Sequence, residues 1–77
     1  MHLKNIVETN KVKSGYVYVS TADTFDAGLE TMVFECDKSG DVSDWGDLDY
    51  DRYNDLNEAS DGHKMMVAKW GKLAPFA

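Results

Sequence analysis

The sequence predicts a small α+β domain: an antiparallel sheet of three or four strands, with one C-terminal helix packed on one face of the sheet. Residues 16–21 and 30–36 are rich in β-branched and aromatic side chains, and residues 45–53 alternate aspartate with other residue types, so all three segments favour strands. Apolar residues recur at helical spacing after residue 55. The chain has 77 residues, which is enough for one hydrophobic core and too few for two, so we expect a single domain spanning 1–77.

The first two strands are expected to form an antiparallel hairpin. Residues 23–28 between them are turn material, and strands joined by such a short connection usually pair. In residues 16–21 the two faces are Val17/Val19/Thr21 and Tyr16/Tyr18/Ser20. In residues 30–36 the two faces are Met32/Phe34/Cys36 and Thr31/Val33/Glu35. Residues 3–8 either add a short strand or fray with the rest of residues 1–14.

The third strand carries most of the acidic residues. It follows a turn at residues 37–41, and its period of two indicates a half-buried strand over residues 45–53. Asp47, Asp49 and Asp51 share one side, and Leu48, Tyr50 and Arg52 share the other. Since aspartate is a poor strand former, we expect an edge strand whose row of carboxylates faces water.

The helix is expected to begin near Asp55, because Asp55 and Glu58 have the spacing of a capping box. Gly71 is a natural end, and Pro75 keeps the helix from resuming. Gly62 in its interior lowers helix stability by about 1 kcal/mol relative to alanine. We expect residues 72–77 to fray. One apolar stripe is predicted, formed by Leu56, Ala59, His63, Met66, Val67 and Trp70. Basic residues that complement the helix dipole follow toward the end: Lys64, Lys69 and Lys72.

Charge is concentrated in the middle of the chain. The formal net charge is −6, and residues 35–61 hold ten acidic groups against Lys38 and Arg52. This balance argues against a protein that binds nucleic acid or an anionic membrane directly. No apolar run is long enough for a membrane span or for the hydrophobic region of a signal peptide. The single cysteine, Cys36, cannot form an internal disulfide, so we expect a cytoplasmic protein.

Short motifs spread over residues 16–70 resemble a set of small uncharacterised proteins from phages and prophages. The motifs are Glu30-Thr31-Met32-Val33-Phe34, Asp51-Arg52-Tyr53, Glu58-Ala59, Gly62-His63, Met66-Val67 and Trp70. This chain departs from that pattern at Leu29, where an aromatic residue is expected, and at the helix entry 54–55, where serine or threonine is more usual. The resemblance implies a phage or prophage accessory gene product in the host cytoplasm, and such small proteins often block a host factor.

The acidic strand is the candidate binding surface. We expect a non-enzymatic protein, without a cofactor, that binds a protein partner with a basic surface. Same-face carboxylates on a strand recur about every 6.7 Å, roughly one negative charge per two phosphates of a DNA strand, so the row has the potential to mimic nucleic-acid charge. The alternative to partner binding is that the acidic face only keeps the protein soluble and protects the edge of the sheet. The predicted partner-binding residues are Asp44, Trp45, Asp47, Asp49, Tyr50, Asp51 and Tyr53.

A calcium-binding loop is the alternative function for the same segment. Carboxylates occupy positions one, three, five, nine and twelve of an EF-hand-like spacing: Asp47, Asp49, Asp51, Asp55 and Glu58. Arg52 stands at position six, where the sharp turn of an EF-hand needs glycine, and Asn54 stands at position eight. No helix is predicted before the loop. These departures favour the strand interpretation over the metal site.

Cys36 and His63 are the remaining candidates for chemistry. A catalytic pair needs an exposed thiol of low pKa, whereas Cys36 alternates in register with Met32 and Phe34 and is expected to be buried. His63 lies on the apolar stripe of the helix, where a buried imidazole that anchors the helix by a hydrogen bond is the simpler interpretation. A domain of this size also has little stability to spare for strained catalytic geometry.

Overall fold

The computed structural model describes residues 1–24 and 28–71, and it confirms the predicted α+β fold. Its elements in chain order are β1 (His2–Glu8), β2 (Tyr16–Thr24), β3 (Gly28–Cys36), β4 (Val42–Tyr53) and α1 (Leu56–Trp70). The four strands form one antiparallel sheet in the order β1-β2-β3-β4, so each strand pairs with its neighbour in sequence. Residues 3–8 therefore belong to a strand. Residues 25–27, Lys72, Pro75 and the expected frayed end at 72–77 lie outside the described residues.

One face of the sheet is covered by α1. Val17, Val19 and Val33 point to this face, are fully buried, and pack with Met66 of the helix. The strand alternation predicted the two faces of β2 correctly, since Val17, Val19 and Thr21 are the buried set. Burying an aliphatic side chain stabilises a fold by about 1.5–3 kcal/mol, so these central valines account for much of the attachment between helix and sheet.

The opposite face, called here the outer side, is covered by other means. Phe34 is 8% exposed and Cys36 is fully buried, although both point away from α1. Part of the cover comes from the turn between β3 and β4, which reaches back across the sheet to β1. At Gly40, which has φ +90°, an added Cβ would lie 2.6 Å from Cδ1 of Ile6. Only glycine combines this backbone conformation with so close an approach.

The helix is capped as the sequence predicts. Asp55 is the N-cap, and its carboxylate accepts a hydrogen bond from the Glu58 N–H at 2.8 Å. The Gly71 N–H donates to the Val67 carbonyl at 3.0 Å where the helix ends. The predicted apolar stripe is right for Ala59, His63 and Met66, which are buried, and Val67 and Trp70, which are half-buried. It is wrong for Leu56, which lies exposed in the first turn, ahead of the first helix residue that is buried.

Within the described ranges, no helix is long and apolar enough to cross a membrane.

Candidate functional site

Strand β4 lies at an edge of the sheet, as predicted, and presents two chemically different sides. Asp49 pairs with Val33 and Asp51 pairs with Thr31, and the side chains of those two β3 residues face α1. The carboxylates at these positions are therefore on the helix side. Tyr50 pairs with Met32 on the outer side, and Leu48 shares its alternation. The sequence pattern grouped the paired residues correctly, since Asp49 and Asp51 lie on one side and Tyr50 and Arg52 on the other. The expectation that the carboxylates face water is right for Asp47 and Asp51, which are exposed, and wrong for Asp49.

Asp49 is stabilised on the helix side by hydrogen bonds from the end of α1. The Trp70 indole N–H and the Lys69 ammonium group both donate to its Oδ2, at 2.9 and 2.7 Å. Only 19% of the Asp49 side chain is exposed. Burial by itself would raise the pKa of Asp49, but the hydrogen bonds from Lys69 and Trp70 outweigh it and hold the pKa below its usual value. Lys69 and Trp70 at the end of the helix thus donate the hydrogen bonds that the Asp49 carboxylate was expected to accept from water.

The neighbouring aspartates also bond to the protein itself. The Oδ1 atoms of Asp49 and Asp51 accept hydrogen bonds from the N–H of the next residue, Tyr50 and Arg52, each at 2.9 Å. Asp44 accepts from the Gly46 N–H at 2.9 Å, in the stretch where the β3–β4 register shifts. Asp44, Asp47 and Asp51 are nevertheless exposed, so they keep β4 strongly negative.

The calcium-loop alternative is wrong, because its five carboxylates do not converge. Asp47, Asp49 and Asp51 lie along an extended strand, and Asp55 is occupied as the helix N-cap. Glu58 Oε1 accepts from the Asn54 N–H at 3.0 Å. Across residues 1–24 and 28–71, no group of three or more histidine, cysteine, aspartate or glutamate side chains is placed to hold a metal ion.

The outer side of β4 carries exposed apolar side chains, here called the β4 outer surface: Trp45, Leu48 and Tyr50. Trp45 is 70% exposed, yet its ring packs edge-on against Phe34, with centroids 5.1 Å apart and an interplanar angle of 63°. The Tyr50 hydroxyl donates to Glu30 Oε2 at 2.7 Å. Both aromatic rings are therefore held in place while they face solvent.

Sequence reasoning missed Leu48, Phe34 and Glu30 as parts of this surface. One signal was available: β3 has large apolar residues at alternating positions on both faces, Met32 and Phe34 on one and Val33 on the other. Such a strand is covered on both sides, so something other than the single helix had to cover Phe34. The partner Glu30 could not be found this way, because it depends on the β3–β4 register.

Tyr53 was predicted to bind the partner, but it serves the interior. Its hydroxyl donates to Thr31 Oγ1 at 2.8 Å, and the residue is half-buried. The ring lies against the helix at Gly62, where an added Cβ would clash with Tyr53 Cε1. Gly62 therefore allows Tyr53 to pack against α1, which explains a glycine in the middle of the helix. We remove Tyr53 from the candidate surface.

His63 belongs to a chain of buried hydrogen bonds between helix and sheet. Its Nδ1 lies 2.7 Å from Thr21 Oγ1, and its Nε2 lies 2.7 Å from Asn5 Oδ1. Thr21 bonds in turn to Thr31, which accepts from Tyr53. If His63 is neutral with its proton on Nε2, the inner groups Thr31, Thr21 and His63 each donate one hydrogen bond and accept one. Burial lowers the pKa of His63, and the charge of His2 lowers it further, so the neutral form is favoured.

The thiol-enzyme hypothesis fails on placement. Cys36 pairs with Tyr16 on the outer side, whereas His63 sits on the helix side. The Cys36 thiol is buried, and burial raises its pKa, with smaller contributions from the charges of Asp37, Asp41 and Glu35. A thiol held neutral and out of solvent is a poor nucleophile. The interpretation of His63 as a buried anchor of the helix is confirmed by its two hydrogen bonds.

Comparison of this chain with protein-family models, with curated proteins and with solved structures finds no match in any of the three.

Proposed function

We propose that this protein acts by binding another protein through the β4 outer surface. The observation that carries the proposal is Trp45, a large aromatic side chain that is 70% exposed and yet fixed against Phe34 at 5.1 Å. Tryptophan and tyrosine are enriched among the residues that dominate binding energy at protein interfaces. Leu48 and Tyr50 extend the apolar contact along the same strand.

The rings are prepared for binding because they have little freedom left to lose. Tyr50 is held by its hydrogen bond to Glu30, and Trp45 by its edge-on contact with Phe34. Ordering a flexible side chain at an interface costs about 0.5–1.5 kcal/mol. A surface whose aromatic groups are already placed avoids part of that cost. The short-range contacts therefore favour a specific partner over nonspecific adhesion.

Charge supports a partner with a basic surface. Residues 35–61 hold ten acidic groups against two basic ones, and Asp44, Asp47 and Asp51 are exposed on β4, the strand that carries the β4 outer surface. Negative charge near a contact speeds association with basic partners and disfavours acidic ones. Nucleic-acid mimicry has weaker support, because Asp49 in the middle of the row is paired with Lys69. The proposal therefore relies on an aromatic contact on a strand of strongly negative charge.

The biological setting remains a prediction from the sequence motifs. A phage or prophage accessory protein of this kind acts in the host cytoplasm and needs no catalysis to block a host factor. We propose a non-enzymatic role for this chain on the same basis. The small core supports it, since a domain of this size rarely has more than about 3–5 kcal/mol of stability to set against strained catalytic geometry.

The test is capture of a partner from a bacterial lysate by immobilised wild-type protein and by two variants. Trp45→Ala removes the centre of the β4 outer surface. Met65→Ala is the matched control, because Met65 is a large apolar side chain that is 72% exposed on α1. We expect a partner that is retained by the wild type and by Met65→Ala, lost by Trp45→Ala, and released by added salt. Circular dichroism confirms that each variant is folded.

Capture that is equal for Trp45→Ala and the wild type would contradict the proposal. So would a set of retained proteins none of which is released by salt.

A further inference from the structure

The direction of the backbone groups in β4 follows from the hydrogen-bond pattern at the far side of the sheet. The Thr9 N–H donates to the Gly15 carbonyl at 2.9 Å, immediately beyond the β1–β2 ladder. Hydrogen-bonded and non-hydrogen-bonded pairs alternate along an antiparallel ladder. The pair Val7 and Val17, two residues further along each strand, is therefore also hydrogen-bonded, and Val17 directs its backbone groups toward β1.

The same alternation carries across the sheet to β4. Even-numbered residues of β2 direct their backbone groups toward β3, so their β3 partners Met32 and Phe34 direct theirs back toward β2. The odd-numbered residues of β3 then bond to their partners on β4, which include Asp49. It follows that Tyr50 and Arg52 direct their N–H groups away from β3, toward the open edge of the sheet.

These two outward N–H groups are the ones bonded to aspartate side chains. The Tyr50 N–H donates to Asp49 Oδ1 and the Arg52 N–H donates to Asp51 Oδ1, each at 2.9 Å. An edge strand with open N–H groups is a template for pairing with another strand. Here each carboxylate occupies a donor that an incoming strand would need, and also places a negative charge beside it.

We propose that Asp49 and Asp51 close the edge of β4 against pairing with the β4 strand of a second copy of this chain. Antiparallel pairing of two β4 strands about Tyr50 would place Asp51 of one copy opposite Asp49 of the other. Pairing would therefore break the side-chain bonds to the two N–H groups and bring like charges together, which is destabilising. β4 is the longest strand, with 12 residues, so it is the strand that most needs such protection.

This proposal goes beyond the proposed function, because it concerns the edge of β4 and not its outer side. It assigns the aspartates a role in the free protein that is independent of any partner. It also implies that a partner of the β4 outer surface docks by side-chain contact and not by adding a strand. If Trp45 proves to bind no partner, the proposal for the edge is unaffected. If the edge proves to be unprotected, the proposed function is likewise unaffected.

Three substitutions separate the hydrogen bond from the charge. Asp51→Val removes both the acceptor for the Arg52 N–H and the charge. Asp51→Asn removes the charge and keeps an acceptor oxygen in the same place. Asp47→Val makes the same chemical change as Asp51→Val at an exposed position on the same strand, outside the two side-chain bonds. The mass of each variant is measured by sedimentation over a range of concentrations.

We expect Asp51→Val to dimerise at least about tenfold more tightly than the wild type, which corresponds to about 1.4 kcal/mol. Asp51→Asn should fall between the two, because it removes the like charge but keeps the acceptor, and Asp47→Val should stay close to the wild type. Equal association of Asp51→Val and the wild type would overturn the proposal. Equal association of Asp51→Asn and Asp51→Val would also overturn it, because the hydrogen bond to the Arg52 N–H would then contribute nothing.

A second measurement on the wild type keeps the proposal testable if Asp51→Val does not fold. In hydrogen exchange followed by NMR, the Arg52 amide proton is expected to be protected from solvent, because its N–H donates to Asp51 Oδ1. The protection should be lost in Asp51→Ala. An Arg52 amide that exchanges equally fast in the two proteins would overturn the assigned hydrogen bond.

Discussion

The two faces of the sheet are closed by different means, and this difference is the basis for the proposed binding surface. On the helix side, α1 covers the central valines and a chain of buried hydrogen bonds ties His63 to β1 and β2. On the outer side, Gly40 of the β3–β4 turn lies against Ile6 and Trp45 packs on Phe34, while Trp45 stays largely in solvent. The helix side serves stability. On the outer side, the buried Phe34 packs in the protein and the exposed Trp45 lies over it.

The largest expected effect tests whether the outer side has a core of its own. Phe34→Ala should cost about 3–5 kcal/mol of unfolding free energy, because Phe34 is 8% exposed. That loss would leave little of the stability of so small a domain. Trp45→Ala should cost less than about 1 kcal/mol, because most of its ring already faces water. Urea unfolding measures both, and a larger loss for Trp45→Ala than for Phe34→Ala would contradict the comparison.

The next effect concerns the contact between the helix and Tyr53. Gly62→Ala should destabilise the protein by about 1–3 kcal/mol, although alanine favours an isolated helix by about 1 kcal/mol. The cause is the Tyr53 ring, which occupies the space that the added Cβ would need. In a Tyr53→Ala background the same substitution should become neutral or stabilising. Thermal unfolding of the four proteins of this cycle is the measurement, and a cost that persists without Tyr53 would contradict the explanation.

The hydrogen-bond chain on the helix side should make stability depend on pH. The pKa of His63 is lowered from 6.5 by burial, so the unfolded chain takes up a proton at this site before the folded protein does. The contribution is fully present above about pH 6.5 and is lost as the pH falls from there through the lowered folded-state pKa. Unfolding free energies between pH 7.5 and pH 5 should show this decrease. His2→Gln should retain the decrease, and its persistence in His63→Gln would contradict the assignment.

The smallest effect concerns the acidic side of β4. Asp49→Asn should cost less than about 1 kcal/mol, because Lys69 is largely exposed and water screens the ion pair. Asp47→Asn should have no measurable effect, since Asp47 is exposed on the same strand. Because the pKa of Asp49 is lowered, its contribution should be lost as the pH falls from 3.8 through the lowered folded-state value. Acid unfolding curves of the two variants provide the comparison, and equal curves would contradict the role of Lys69 and Trp70.

The fold could be predicted because local patterns were sufficient for it. The alternation in β2 separated Val17 and Val19 from the tyrosines of the other face, and the capping residues Asp55 and Gly71 indicated the ends of the helix. The side of β4 that faces the helix could not be predicted in this way. Alternation says which residues share a side, but each side of β4 is partly polar, and the choice depends on distant partners such as Trp70. The sequence could therefore indicate β4 as a candidate surface, but not that Asp49 is held by the end of the helix.

The proposed function requires that the β4 outer surface binds its partner through Trp45. The most direct test is the affinity of the captured partner for Trp45→Ala and for Met65→Ala, measured by calorimetry against the wild type. Truncation of a dominant interface residue costs at least about 2 kcal/mol, so we predict binding weakened roughly thirtyfold or more by Trp45→Ala and unchanged by Met65→Ala. Equal affinity of the two variants would contradict the account.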